Sequence, residues 1–177
     1  MKKGLFIVFE GIDGSGKSTQ ARLLAKKLNA VLTKEPTDSP LGRFVRKLIE
    51  MERSSWVQSV FANDRAEHVR KVILPALKKG KTLICDRYIL SSMAYAHSRD
   101  AKMVKALNAG FPKPDVTFLL DLPAAIALKR KKSLFEKSEL ERIRRNYLKL
   151  KGNAIVIDGK MPANKVARII FNSAKKV

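Results

Sequence analysis

Cysteine is almost missing from this chain. Among 177 residues only Cys85 is present, which rules out an intrachain disulfide and any cysteine-based zinc cluster. It lies in the apolar run Leu83-Ile84-Cys85 and reads as a buried, inert thiol. Histidine is nearly as scarce. His68 and His97 offer no Ser-His-Asp set, and both read as surface residues. No apolar run reaches the roughly 20 residues of a transmembrane helix. The opening Met1-Lys2-Lys3 with the short run behind it resembles a secretory leader, but Glu10 and Asp13 end that run at once. It reads as a core strand in a cytoplasmic protein. Acidic residues are also few, 16 against 37 Lys and Arg, for a formal charge of +21. That excess suits a nucleic-acid binder, a handler of polyanionic small molecules, or a solvated lysine-rich surface. The last reading covers Lys26, Lys27, Lys78, Lys79, Lys175 and Lys176. Lys129 to Lys151 stands apart, with ten Lys and Arg against three Glu. Neither a repeat nor a linker breaks the chain, so residues 1–177 read as one domain able to bury about two-thirds of its unfolded surface.

What is present is a phosphate-binding loop. Gly11-Ile12-Asp13-Gly14-Ser15-Gly16-Lys17-Ser18, followed by Thr19, has the P-loop spacing. Its flanks agree: Leu5 to Phe9 reads as a buried strand, and Ala21, Leu24, Ala25 and Leu28 recur on one helical face. Glycines let successive N–H groups close around a polyphosphate. The following helix adds its positive end, Lys17 reaches the outer phosphates, and the Ser18 hydroxyl can ligate Mg²⁺. Residues 11–19 are therefore the expected ATP site.

Further strands are expected at Ala30 to Thr33, Thr82 to Cys85, Val116 to Leu122 and Ala154 to Ile157, with helices between them. One long helix is expected from about Trp56 to Lys79, kinked at Pro75, and another from about Ile89. Pro123 starts a helix that runs into the basic segment. This alternation specifies an α/β, P-loop NTPase-type three-layer fold: a five-stranded parallel sheet flanked by helices. Asp86 and Arg87 then fall at the carboxyl end of a strand, where open α/β sheets bind ligands. Arg87 suits bidentate phosphate binding, and Asp86 joins Ser18 as a candidate metal ligand. Phe61 and Arg65, four apart on a helix, can stack on a flat base and donate to its edge.

Ile84-Cys85-Asp86-Arg87-Tyr88, then Ser91-Ser92 and Ala94-Tyr95, resembles the signature of thymidylate kinases. Phe9 to Gly14, Thr33-Lys34-Glu35-Pro36, Phe61 with Arg65, and Pro112-Lys113-Pro114-Asp115 extend the resemblance over nearly the whole chain. It implies Mg²⁺-dependent transfer of the ATP γ-phosphoryl group to dTMP in dTTP synthesis, in a homodimer without a membrane or a specific nucleic-acid partner. It places Asp13, Phe61, Arg65, Arg87, Ser91, Ser92 and Tyr95 around dTMP, with Arg87 on the acceptor phosphate. Asp13 would receive the 3′-hydroxyl, and Tyr95 would fill the space of a 2′-hydroxyl. The basic segment, about residues 129–146, resembles a short lid. Lys34 stands where the family often has Arg, and Ser133-Leu134-Phe135-Glu136 lacks the Arg often found before Phe-Glu. Arg130 is the first choice for a catalytic lid cation beside Lys17 and Arg87, ahead of Lys131, Lys132, Arg142 and Arg144. The competing readings are a kinase with another nucleoside monophosphate or a deoxynucleoside as acceptor, and a nucleic-acid-stimulated P-loop ATPase.

Overall fold

The computed structural model describes residues 4–51 and 56–177; the Met1-Lys2-Lys3 opening lies outside the described residues. Five strands, β1 (Phe6–Glu10), β2 (Val31–Lys34), β3 (Leu83–Asp86), β4 (Val116–Asp121) and β5 (Ile155–Asp158), form one parallel sheet in the order β2-β3-β1-β4-β5. All five residues of β1 are buried, as expected of a central strand covered on both faces. Its period of two divides the core. Ile7 and Phe9 pack with Ile84, Phe118 and Leu120 on one face, while Phe6 and Val8 join Leu83, Cys85 and Tyr88 on the other. The edge strands β2 and β5 bury fewer positions.

The first face is covered by α1 (Lys17–Leu28) and α9 (Ala163–Ala174), through Ala21, Leu24, Val166 and Ile170. The other carries α4 (Leu74–Lys78) on one side. On the other side lie α5 (Ile89–Tyr95), α7 (Ala124–Arg130) and α8 (Lys137–Leu150), with Ala94, Ala127, Leu140, Ile143 and Tyr147 in one cluster. The remaining helices are α2 (Pro40–Met51), α3 (Val57–His68) and α6 (Ala101–Asn108). Ser39 caps α2, its hydroxyl accepting from Gly42 N at 3.0 Å.

Two expectations need correcting. The single helix over Trp56 to Lys79 is α3 and α4 joined by a π-helical stretch, Val69–Ile73. Pro75 lacks an N–H and its ring conflicts with the carbonyl four residues earlier. The chain shifts register upstream instead of kinking there, and Leu74 N donates to Val69 O, five residues back. His68 is not a surface residue: it is 3% exposed and held between Thr33 and Glu35. Cys85 is fully buried as expected, and burial pushes its thiol pKa well up.

Candidate active site

The turn from β1 into α1 is built on three left-handed glycines, Gly11, Gly14 and Gly16. Phosphate access is one reason for them and packing is another. A Cβ on Gly14 would lie 2.4 Å from the Ala127 carbonyl oxygen of α7, and one on Gly11 would lie 2.5 Å from the Leu120 carbonyl oxygen of β4. Lys17 is buried, and its Nζ donates to Ile12 O at 2.7 Å, folding the side chain back over the loop. Burial, reinforced by the nearby Arg87 charge, lowers its pKa to about 7. Ser18 Oγ donates to Asp86 Oδ2 at 2.5 Å. The other oxygen, Asp86 Oδ1, is buried and has no hydrogen-bond partner among the described residues, so the Ser18–Asp86 pair keeps an unused acceptor oxygen. Such a donor set fits a hard divalent cation of the Mg²⁺ type.

Arg87 adopts φ 75°, a left-handed conformation that costs any residue with a Cβ energy and aims its side chain across the end of the sheet. Its Nη2 donates to Asp13 Oδ1 at 2.6 Å and to Tyr95 OH at 3.2 Å. Its Nη1 lies 3.3 Å from Ser91 Oγ, Tyr147 OH and Gly11 O. The guanidinium also sits 5.2 Å from the Tyr95 ring centre. Burial works to raise the Asp13 carboxyl pKa, but Arg87 and Lys17 override it and hold the group below its usual range. The phosphate loop and the Asp-Arg-Tyr corner are therefore one charged unit.

Beneath Arg87 lies Glu10, the last residue of β1 and fully buried. It accepts from Tyr88 N at 2.9 Å, Ser91 N at 3.2 Å, Ser91 Oγ at 2.5 Å and Tyr147 OH at 3.2 Å. Burial raises its pKa to about 7 against these hydrogen bonds. It anchors the start of α5 and, through Tyr147, ties α8 to the same corner. Neither Glu10 nor Tyr147 stands out as a site residue in the sequence. The one signal is an acid closing an otherwise apolar strand; Tyr147 reads only as part of an apolar helix face.

A 450 Å³ cavity opens beside this corner, lined by Asp13, Phe61, Arg65, Arg87, Ser91, Ser92 and Tyr95 together with Glu35, Lys131, Lys132 and Ser133. Its volume is within the roughly 300–1,000 Å³ of small-molecule sites. All seven residues expected around the acceptor are thus on one hollow. Phe61 is half-buried on its wall, whereas Arg65 is 1% exposed. The acceptor that a buried Arg requires comes mainly from within the protein. Arg65 Nε donates to Glu35 Oε2 at 2.8 Å and Nη2 to Ser92 Oγ at 3.1 Å, with Nη1 on Asn108 Oδ1. Glu35 Oε1 in turn pairs with His68 Nδ1 at 3.0 Å, and His68 Nε2 with Thr33 Oγ1 at 2.7 Å. A larger groove of 640 Å³ lies on the other side of Asp86, between Ser18, Arg22, Thr33, Lys34 and His68.

The basic cations divide by position. Lys131 and Lys132 line the 450 Å³ cavity, and Ser133 Oγ lies 3.4 Å from Asp13 Oδ2. Arg130 points elsewhere, its Nη1 donating to Gly159 O at 2.9 Å. Arg144 is paired with Asp121 at 2.6 Å and Glu141 at 2.8 Å, and Arg142 donates to Ala96 O at 3.2 Å. Lys34 bonds Asp38 at 3.0 Å on the surface. Among the described residues no helix is long and apolar enough to cross a membrane.

Known proteins match this sequence along most of the chain. Residues 9–170 match the family model described as Thymidylate kinase. A probable thymidylate kinase of Pyrococcus abyssi is 46% identical over 170 residues, covering 84% of this chain and 83% of the relative. One from Methanocaldococcus jannaschii is 43% identical over 169 residues, covering 89% and 88%. A thymidylate kinase of Leptospira interrogans is 40% identical over 189 residues, covering 94% and 92%. With a family model spanning nearly all of the sequence and relatives well above 30% identity, the chain belongs to the thymidylate kinase family.

Proposed function

We propose that the protein transfers the γ-phosphoryl group of ATP to dTMP, giving ADP and dTDP. One observation carries the geometric side of this reading: Asp13 belongs to the phosphate loop and to the wall of the acceptor cavity at once, bridged by Arg87 at 2.6 Å. Donor phosphates on the loop and an acceptor in the cavity would meet at that bridge. An acceptor phosphate oxygen, already anionic, attacks the γ-phosphorus as the bond to the β-phosphate oxygen breaks. No general base is needed. The protein's task is to align the two anions, neutralise the moving charge and exclude water.

Residues 11–19 hold the ATP phosphates in this reading, with Lys17 leaving Ile12 O for the outer phosphates. Arg87 holds the acceptor phosphate. Phe61 and Arg65 face the base, Ser91, Ser92 and Tyr95 face the sugar side, and Asp13 takes the 3′-hydroxyl. Burial pushes the Tyr95 phenol up to about 12, so it stays neutral against the sugar. Ser18 and Asp86 would hold Mg²⁺, which neutralises phosphate charge when bound. Residues 129–146 form the lid. Arg130, bonded to Gly159 O in the free protein, would have to leave that carbonyl to supply the lid's donor-side cation, and Lys131 and Lys132 approach from the acceptor side.

An acceptor panel with Mg-ATP, read as ADP release and as diphosphate product, tests the reading. dTMP is expected to give the highest kcat/KM. Faster turnover of another nucleoside monophosphate or of a deoxynucleoside would overturn the acceptor assignment. ATP hydrolysis without acceptor but stimulated by DNA would overturn the kinase reading itself.

A further inference from the structure

Three lysine pairs scattered through the sequence return to one edge of the sheet, two of them, on α1 and α9, on the same face. In a parallel sheet each connecting helix runs back against the strands, so helix ends collect at the edge where strands begin. Lys26 and Lys27 end α1, two residues before β2. Lys78 and Lys79 end α4 just ahead of β3. Lys175 and Lys176 follow α9, which returns to the same edge from β5. All six are exposed. The meeting of α1 and α9 is direct: Lys27 Nζ lies 3.7 Å and Lys175 Nζ 4.5 Å from the centre of one ring, that of Phe171.

Among the described residues none of the six has a carboxylate partner. Asp115, an acid at this edge, accepts from Phe6 N at 2.7 Å among its contacts. At the opposite edge Arg65, Arg87 and Arg144 are each paired with an acid. A single cation per helix end would answer the macrodipole. The α1 and α9 pairs, meeting at one ring, exceed that need, so this pole is complementary to a dense polyanion.

We propose that this lysine pole, remote from the nucleotide cleft, binds the phosphate backbone of duplex nucleic acid without reading its sequence. Lysine offers point charges to phosphate rather than the planar fork that reads guanine, and phosphate contacts carry no sequence information. Phe171, the aromatic ring here, is covered by two ammonium groups, so no platform remains on which single-stranded bases could stack. The same cover removes the exposed aromatic anchor that a membrane-surface site uses. The proposal stands independently of the acceptor assigned to the cleft.

Fluorescence anisotropy of a labelled 20-base-pair DNA duplex between 25 and 200 mM KCl tests it. Binding in the micromolar range at low salt is expected, falling with a log–log slope of about −4 to −5 for five or so phosphate contacts. A duplex should bind at least as tightly as a single strand of equal length. The variant Lys26→Gln/Lys27→Gln/Lys175→Gln/Lys176→Gln should lose about tenfold or more in affinity and flatten the slope, while Mg-ATP turnover and Tm stay at parental values. Three results would overturn the proposal. The variant could bind DNA like the parent, saturating Mg-ATP with dTMP could displace the duplex, or vesicles containing phosphatidylserine could bind more tightly than DNA at equal salt.

Discussion

Lys17 shows how a functional residue destabilises the protein that carries it. Its pKa is lowered to about 7 in the fold against an ordinary value of 10.5. The unfolded chain therefore binds the extra proton between those values, and stability rises with pH across that window. The cost of burying the charge is full below pH 7 and vanishes as pH approaches 10.5. Lys17→Met should consequently raise the Tm of the free protein most at or below pH 7, by about 2–4 °C for each kcal/mol relieved, and the gain should fade toward pH 10. Phosphoryl transfer should be lost at every pH, since the outer phosphates lose their fixed cation. A melting series from pH 6 to 10 checks the first part; a gain that grows with pH would show the sign to be wrong. Arg65 poses the reverse problem, because it supports both the cavity and the core. Arg65→Ala leaves Glu35, buried and among the described residues otherwise paired with His68, short of a cation, and should cost roughly 3–5 kcal/mol of stability. Adding Glu35→Gln should restore much of that stability. If Arg65 also meets the base, the double variant should still bind dTMP weakly with ATP binding intact. Full recovery of dTMP binding would make Arg65 purely structural.

At the scale of elements, α5 and α8 are joined to β1 by hydroxyls rather than by apolar packing alone. Tyr147 OH lies 2.8 Å from Ser91 Oγ and 3.2 Å from Glu10 Oε2. Tyr147→Phe keeps the ring among Ala94, Leu140 and Ile143 but leaves Glu10 short of a donor. We expect a loss of about 1–3 kcal/mol in denaturant unfolding, and a larger fall in kcat/KM for the acceptor than for ATP, because the same hydroxyl touches Arg87. Equal losses for both substrates would place its effect on the sheet as a whole. This junction also marks the limit of what could be read from the sequence. The strands, their parallel pairing and the P-loop were legible, because apolar period, glycine spacing and Lys-Ser are local signals. That Arg87, Ser91, Ser92 and Tyr95 share one cavity was legible through the Asp-Arg-Tyr motif, whereas Glu35 and Ser133 on its wall carry no local signal. Glu10 and Tyr147 are 137 positions apart, and periodicity assigns a tyrosine to a core face without saying where its hydroxyl goes. His68 was misread for the same reason, its partners Thr33 and Glu35 being over 30 residues away. The π-helical stretch escaped because Pro75 predicts a disturbance but not which turn absorbs it.

For the whole molecule the question is where a formal charge of +21 acts. Both proposed substrates are polyanions, so a positive field should speed their encounter with the cleft. Charges act only over about a Debye length, roughly 8–10 Å near physiological salt. The cations that count for association are thus those around the cavity and loop, Lys17, Arg87, Lys131 and Lys132, and not the lysines at the far edge of the sheet. Raising KCl from 25 to 300 mM should lower kcat/KM for ATP and for dTMP severalfold while leaving kcat nearly constant, because screening weakens encounter but not the contacts of the closed complex. The four-lysine variant of the far edge should follow the parent's salt curve, while Lys131→Gln/Lys132→Gln should flatten it. If the far-edge variant flattens the curve equally, steering is a property of net charge and the two poles are not separable. If kcat falls with salt as steeply as kcat/KM, screening reaches the transferring phosphoryl itself, and the cleft stays open to solvent during transfer.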